Sequence, residues 1–132
     1  MSLVVDASVA VEYLLRTPLG EAVADRLERE ELIAPELLDA EVLAVLRRAL
    51  LTGALDTDRA ETALADLIDW GVRRLPHVFL VHKAWEFRHN VTAYDALYLA
   101  AGELYEAPVL TANGPLARAP TSGVLVENVR VR

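Results

Sequence analysis

The sequence predicts an α/β fold: a central, mainly parallel β-sheet flanked by helices in a three-layer domain. Three observations carry that expectation. Short apolar runs recur at Leu3–Val5, Leu32–Ala34 and Pro108–Thr111. Longer stretches with apolar residues at helical spacing lie between them. The length, 132 residues, suits one hydrophobic core rather than two, so residues 1–132 read as a single domain.

Leu3-Val4-Val5 reads as a buried strand ending at Asp6. Ala7–Arg16 then sets Val9, Val11, Leu14 and Leu15 in a helical pattern. Pro18 opens a second helix in its first turn, running to Glu30. Leu32-Ile33-Ala34 is a strand stopped by Pro35. Pro35–Leu51 is the most clearly periodic helix, with Leu38, Val42, Val45, Leu46, Ala49 and Leu50 on one stripe and Gly53 as a stop. Thr57 or Asp58 caps the next helix, which turns Ala60, Ala63, Leu64, Leu67 and Ile68 inward. Arg74-Leu75 is a minimal strand, and Val78–Arg88 a helix. The helix from Thr92 or Ala93 to Glu106 is apolar nearly all round, which places it deep in the core. Pro108–Thr111 is a strand, Asn113-Gly114-Pro115 a turn, and Val124–Val126 the closing strand.

Composition removes several functional classes. With no Cys there is no disulfide, thiolate metal site or Cys nucleophile. His77, His82 and His89 do not form an H-x-x-x-H ligand pair. The opening apolar run is broken by Asp6 and Glu12 and lacks a basic start, so no signal peptide is expected. No stretch is uncharged for long enough to span a membrane, and a soluble, cytoplasmic protein is expected. The net charge of −7 argues at first against a nucleic-acid partner. The excess acid is confined to the first half, however: residues 1–66 carry 14 acidic and 6 basic side chains, residues 67–132 carry 6 and 7.

Three carboxylates stand among apolar neighbours. Asp6 ends the first strand, where ligands of open α/β sheets bind, although the same residue can simply cap the next helix. Glu41 borders the apolar stripe of its helix, three residues after Leu38 and four before Val45; an ion pair with Arg47 or Arg48 would account for it equally well. Asp95 lies in the first turn of the most apolar helix, where Asn90–Thr92 can already serve as the cap. Carboxylates gathered at one sheet edge repel by about 3 kcal/mol a pair at ~5 Å and an effective dielectric near 20. A hard divalent cation offsets that repulsion, and Mg²⁺ or Mn²⁺ suits an oxygen-only ligand set. Such a site can activate water and neutralise a phosphodiester transition state.

The residues also resemble a known family. Val4-Val5-Asp6-Ala7-Ser8, the run Ala40–Arg48 around Glu41, and Thr92–Ala100 around Asp95 look like three signature segments of PIN domains, closest to VapC-type toxins of toxin–antitoxin pairs. Leu110–Ala119 resembles the fourth segment. The resemblance implies a PIN-like parallel sheet and a Mg²⁺- or Mn²⁺-dependent endoribonuclease with Asp6, Glu41 and Asp95 as the catalytic, metal-holding acids. It also implies a small antitoxin that blocks the site, and a homodimer. One position departs from the pattern: Asn113 stands where the family usually has a fourth acid. Its amide oxygen can ligate a metal but carries no charge and cannot act as a base. A catalytically weak or inactive PIN scaffold that mainly binds an antitoxin is therefore the alternative function.

Ser8 and Thr111 offer supporting hydroxyls, or else cap and turn bonds. Arg47, Arg48, Arg88, His89 and Arg118 are candidates for holding RNA phosphates, although each also suits a solvated surface. Trp70, Trp85 and Tyr13 can stack on bases, but their helical spacing favours core or interface packing. The RNA would be of the tRNA or rRNA class, as in the family, and the excess acid suits a basic antitoxin tail. A phosphoacceptor signalling domain fits poorly, because Asp6 stands alone after the first strand and the only Lys is Lys83.

Overall fold

The computed structural model describes residues 1–121 and 123–130. Five strands form one sheet: β1 (Ser2–Val5), β2 (Glu31–Pro35), β3 (Arg73–Leu75), β4 (Val109–Thr111) and β5 (Val126–Asn128). Their order is β3-β2-β1-β4-β5, and every neighbouring pair is parallel. Parallel neighbours require crossovers, and helices supply them: α1 (Ala7–Leu14), α2 (Pro18–Arg29), α3 (Leu37–Leu51), α4 (Thr57–Asp69), α5 (Val81–Trp85), α6 (Ala93–Leu104) and α7 (Gly114–Arg118). The chain leaves β1 toward β2 and β3 on one side, then returns to β4 and β5 on the other. The β1–β4 junction is therefore the switch point of a doubly wound sheet, where α/β folds open a crevice beyond their strand ends. Val5 pairs with Leu110 there, so Asp6 and Thr111 lie at the same edge.

The strand interiors explain the sheet's stability. Leu3, Val4, Val5, Ile33, Val109 and Leu110 are all buried, as expected for a parallel sheet covered on both faces. Helix α6 packs on β1, β2 and β4. Its Ala96, Leu99, Ala100 and Ala101 allow a close approach, while Tyr94, Leu104 and Tyr105 are exposed, so only the central part of the helix is core. Gly20 sits where α2 crosses the end of α1; a Cβ there would lie 2.0 Å from the Glu12 carbonyl oxygen. Arg74 ties β3 to the helices by donating to Asp39 and to the carbonyls of Leu67, Trp70 and Val72.

Several local expectations need correction. Leu38, Val42 and Leu46 form the buried stripe of α3, but Val45 and Leu50 are exposed, and so is Ile68 of α4. Asp56, not Thr57 or Asp58, caps α4 by accepting from the Arg59 amide. The segment after β3 is a 3₁₀ turn (His77–Phe79) followed by a five-residue helix, because His77 turns back to accept a hydrogen bond from the Leu37 amide at 2.9 Å. Asn113-Gly114-Pro115 opens α7, with Pro115 in its first turn. The closing strand starts two residues later than expected, at Val126. No helix among the described residues is long and apolar enough to cross a membrane.

Candidate active site

The switch point is built around Asp6. The carboxylate is 5% exposed and accepts three hydrogen bonds. The Ser8 hydroxyl (2.6 Å) and the Val9 amide (3.1 Å) donate to Oδ1, and the Thr111 hydroxyl (2.5 Å) donates to Oδ2. The Val9 bond is the N-cap of α1, so Asp6 does cap its helix. It also binds the strand beyond the crossover, which capping does not require. Ser8 and Thr111 form a small network: the Ala112 amide donates to Ser8 Oγ (2.8 Å) and the Asn113 amide to Thr111 Oγ1 (2.9 Å). Burial pushes the Asp6 carboxyl up, the three hydrogen bonds pull it back, and the charge of Asp95 adds a smaller upward push.

Asp95 is half-buried in the first turn of α6. The capping role belongs to Thr92, whose hydroxyl accepts from the Asp95 amide at 3.1 Å. Burial raises the pKa of the Asp95 carboxyl, against a smaller opposing pull from Thr92. Glu41 emerges from the second turn of α3. Its partner is neither Arg47 nor Arg48 but Tyr98, whose buried phenol donates to Oε1 at 2.6 Å. Burial, and then Glu41 itself, pushes the Tyr98 phenol far above its ordinary value, so it stays a donor. From sequence, Tyr98 is one more apolar residue of a helix that reads as core. The available signal was its position three residues after Asp95, on the same face of α6.

Asp6 ends β1, Asp95 starts α6 and Glu41 is joined to that helix through Tyr98, but the three acids do not stand as a preformed cage. Among the described residues no three acidic or histidine side chains converge closely enough to hold an ion. Like charges at short range repel, which favours the spaced arrangement. The donor chemistry nonetheless fits a hard divalent cation. Every available donor is an oxygen, and none of the ion pairs among the described residues involves Asp6, Glu41 or Asp95. Asn113 is half-buried at the start of α7, and its side chain makes no cap bond.

Beside Asp95 runs a groove of about 420 Å³ lined by Arg88, His89, Asn90, Thr92, Pro115 and Leu116 among others. Arg88 lies over the Trp85 ring at 5.0 Å, and Trp85 is 66% exposed, so this indole lies outside the core. Arg118, in the last turn of α7, folds back over Gly114 next to Asn113. Arg48 lies two turns further along α3 than Glu41, on the order of 10 Å, and is exposed. Trp70 and Tyr13 stack on each other with centroids 5.1 Å apart. They wall a second groove, of about 430 Å³, carrying Glu21, Glu28, Asp66 and Asp69.

A doubly wound parallel sheet with acids at its switch point defines a class, and the sequence profile of the PIN domain matches residues 3–121. The chain belongs to the PIN domain family. Within it, the chain is similar to Ribonuclease VapC1 of Mycobacterium tuberculosis, 41% identical over 119 residues that cover 89% of this chain and 90% of that one. It is also similar to Ribonuclease VapC12 of the same species, 33% identical over 127 residues, 96% of this chain and 98% of that one. Among solved structures, VapBC2 from Rickettsia felis bound to a DNA fragment from its promoter matches with a TM-score of 0.66 at 12% identity, covering 96% of this chain and 98% of that one, a likeness of fold. The family and the fold expected from sequence are both borne out.

Proposed function

We propose that the protein is an endoribonuclease toxin of a toxin–antitoxin pair, hydrolysing RNA phosphodiester bonds with Mg²⁺ or Mn²⁺ as cofactor. The observation that supports this reading is that Asp6 ends β1 at the switch point, that Tyr98, one turn after Asp95 on α6, donates to Glu41, and that none of the three acids pairs with a cationic side chain among the described residues. The similarity to VapC ribonucleases supports it. Asp6, Glu41 and Asp95 are the acids that would hold the ion, with Asn113 as a neutral fourth donor. When bound, such an ion supplies Lewis-acid neutralisation of a phosphodiester and acidifies water.

The chain's own groups do the positioning. Ser8, Val9 and Thr111 fix the Asp6 carboxylate, because three donors on two oxygens leave it one rotamer. Thr92 frees Asp95 from capping. Arg88 and Arg118 flank the acids and can hold phosphates on either side of the scissile bond. The groove beside Asp95 seats a flanking nucleotide, with exposed Trp85 and Arg88 as a stacking platform. Arg48 lies farther out and serves a longer RNA. The substrate class is tRNA or rRNA, which places the action in the cytoplasm.

The partner is a small antitoxin with a basic tail. The acidic groove of Glu21, Glu28, Asp66 and Asp69 offers it complementary charge. A homodimer would cover the exposed row Val78, Phe79 and Val81. Asn113 favours one further reading, a PIN scaffold of low activity that works mainly by binding its antitoxin. Cleavage of a mixed RNA pool with Mn²⁺ tests the main reading. Wild type cleaves, and Asp95→Asn, correctly folded, loses at least about a hundredfold. Equal cleavage by that variant would sink the assignment.

A further inference from the structure

We propose that Tyr98 is a positioning residue: its hydroxyl fixes the Glu41 carboxylate so that the other carboxylate oxygen is presented to the cation at the sheet edge. The proposal rests on the reading of Asp6, Glu41 and Asp95 as cation-holding acids. The Asp6 carboxylate is steadied by two hydroxyls, Ser8 close in sequence and Thr111 of the adjacent strand, while the Thr92 hydroxyl accepts from the Asp95 backbone amide. Glu41 has the longest side chain of the three and leaves the second turn of α3, beyond the end of β2 at Pro35. Tyr98 is its one hydrogen-bond partner among the described residues, reaching it across 57 positions of sequence at 2.6 Å.

The placement of Tyr98 suits this role. It follows Asp95 by three residues, so both side chains leave the same face of α6. Its ring is buried against the core, which fixes the hydroxyl in space. The charge of Asp6 also reaches the phenol, and the Ala7 backbone amide bears on it from the start of α1. One side chain on α6 thus touches Glu41 of α3 and lies within reach of the charge of Asp6 at the end of β1. A phenol donates a single hydrogen bond, so it occupies one oxygen of Glu41 and leaves the other open. Partners of this kind, one step out from the ligands, typically set metal affinity by ten- to a hundredfold.

The test is a double-mutant cycle of Tyr98→Phe and Glu41→Ala. Mn²⁺ binding to metal-free protein is followed by the electron paramagnetic resonance of the free ion, and folding by thermal melts. Phenylalanine keeps the ring and deletes only the hydroxyl. The expected result is Mn²⁺ affinity lowered about tenfold or more by Tyr98→Phe, with no further loss when it is added to Glu41→Ala, which leaves the hydroxyl no carboxylate to hold. Unchanged affinity in Tyr98→Phe, or the same loss in both backgrounds, would overturn the assignment while leaving the metal reading intact. Wild-type protein that binds no Mn²⁺ would overturn the metal reading and this assignment together.

Discussion

Replacing Asp6 by Asn is expected to stabilise the metal-free protein and to abolish its stabilisation by Mn²⁺. Asp6 is 5% exposed, has no cationic partner among the described residues, and is compensated only by three neutral donors. Burial wins over those bonds and lifts its pKa above 3.8. The folded protein therefore holds the Asp6 proton more tightly than the unfolded chain does. The stability that this contributes is fully present below the unfolded pKa and is lost as pH rises through the raised folded value. Near neutral pH the ionised carboxylate is a destabilising group kept for function. Asparagine retains its hydrogen bonds. Its oxygen can accept from Ser8 and the Val9 amide, and its NH₂ can donate to Thr111 Oγ1, whose own proton can turn to Ser8 Oγ, 3.4 Å away. The expected gain is about 1 kcal/mol, or about 4 °C in Tm for a chain of this length. Scanning calorimetry in EDTA reads it, and the gain should shrink toward acid as wild-type Asp6 becomes protonated. With Mn²⁺ at a hundredfold excess over its Kd, wild type recovers about 2.7 kcal/mol and overtakes the variant. The reasoning fails if Asp6→Asn is less stable than wild type in EDTA at neutral pH, or if it keeps the Mn²⁺ gain.

Two other substitutions probe separate parts of the account. Asn113→Asp places a fourth charge beside the site and should raise Mn²⁺ affinity about tenfold, at ~1.4 kcal/mol; calorimetric titration reads it, and no change would remove Asn113 from the donor set. Gly20→Ala forces a Cβ to within 2.0 Å of the Glu12 carbonyl oxygen, so urea unfolding should show a loss of about 3 kcal/mol or more.

What was legible in the sequence depended on range. Asp95 was readable because the odd feature is local: an acid in the first turn of an apolar helix that Thr92 already caps. Asp6 was readable because strand ends carry sites in parallel sheets. Glu41 stood out as an acid bordering an apolar stripe, but its partner did not, because the Tyr98 contact spans 57 positions and only the fold brings α3 and α6 together. The same limit explains Trp85. Helical spacing allowed it a place in the core, whereas it ends the short helix α5 exposed, with Arg88 over its ring. Val45, Leu50 and Ile68 fail for a different reason, since folded proteins leave much apolar surface exposed and periodicity alone sets a stripe too wide. Ser8 and Thr111 were foreseen as hydroxyls near the site. That both grip the same carboxylate followed only from the β1–β4 register.

The central claim is that Asp6, Glu41 and Asp95 close around one divalent cation. Crystals grown with Mn²⁺ and measured at the manganese absorption edge test it most directly. The account predicts an anomalous peak bounded by those three carboxylates beside the ends of β1 and β4, with Tyr98 still bonded to Glu41. A fully occupied Mn²⁺ peak elsewhere in the molecule, with the three acids left apart, would contradict it.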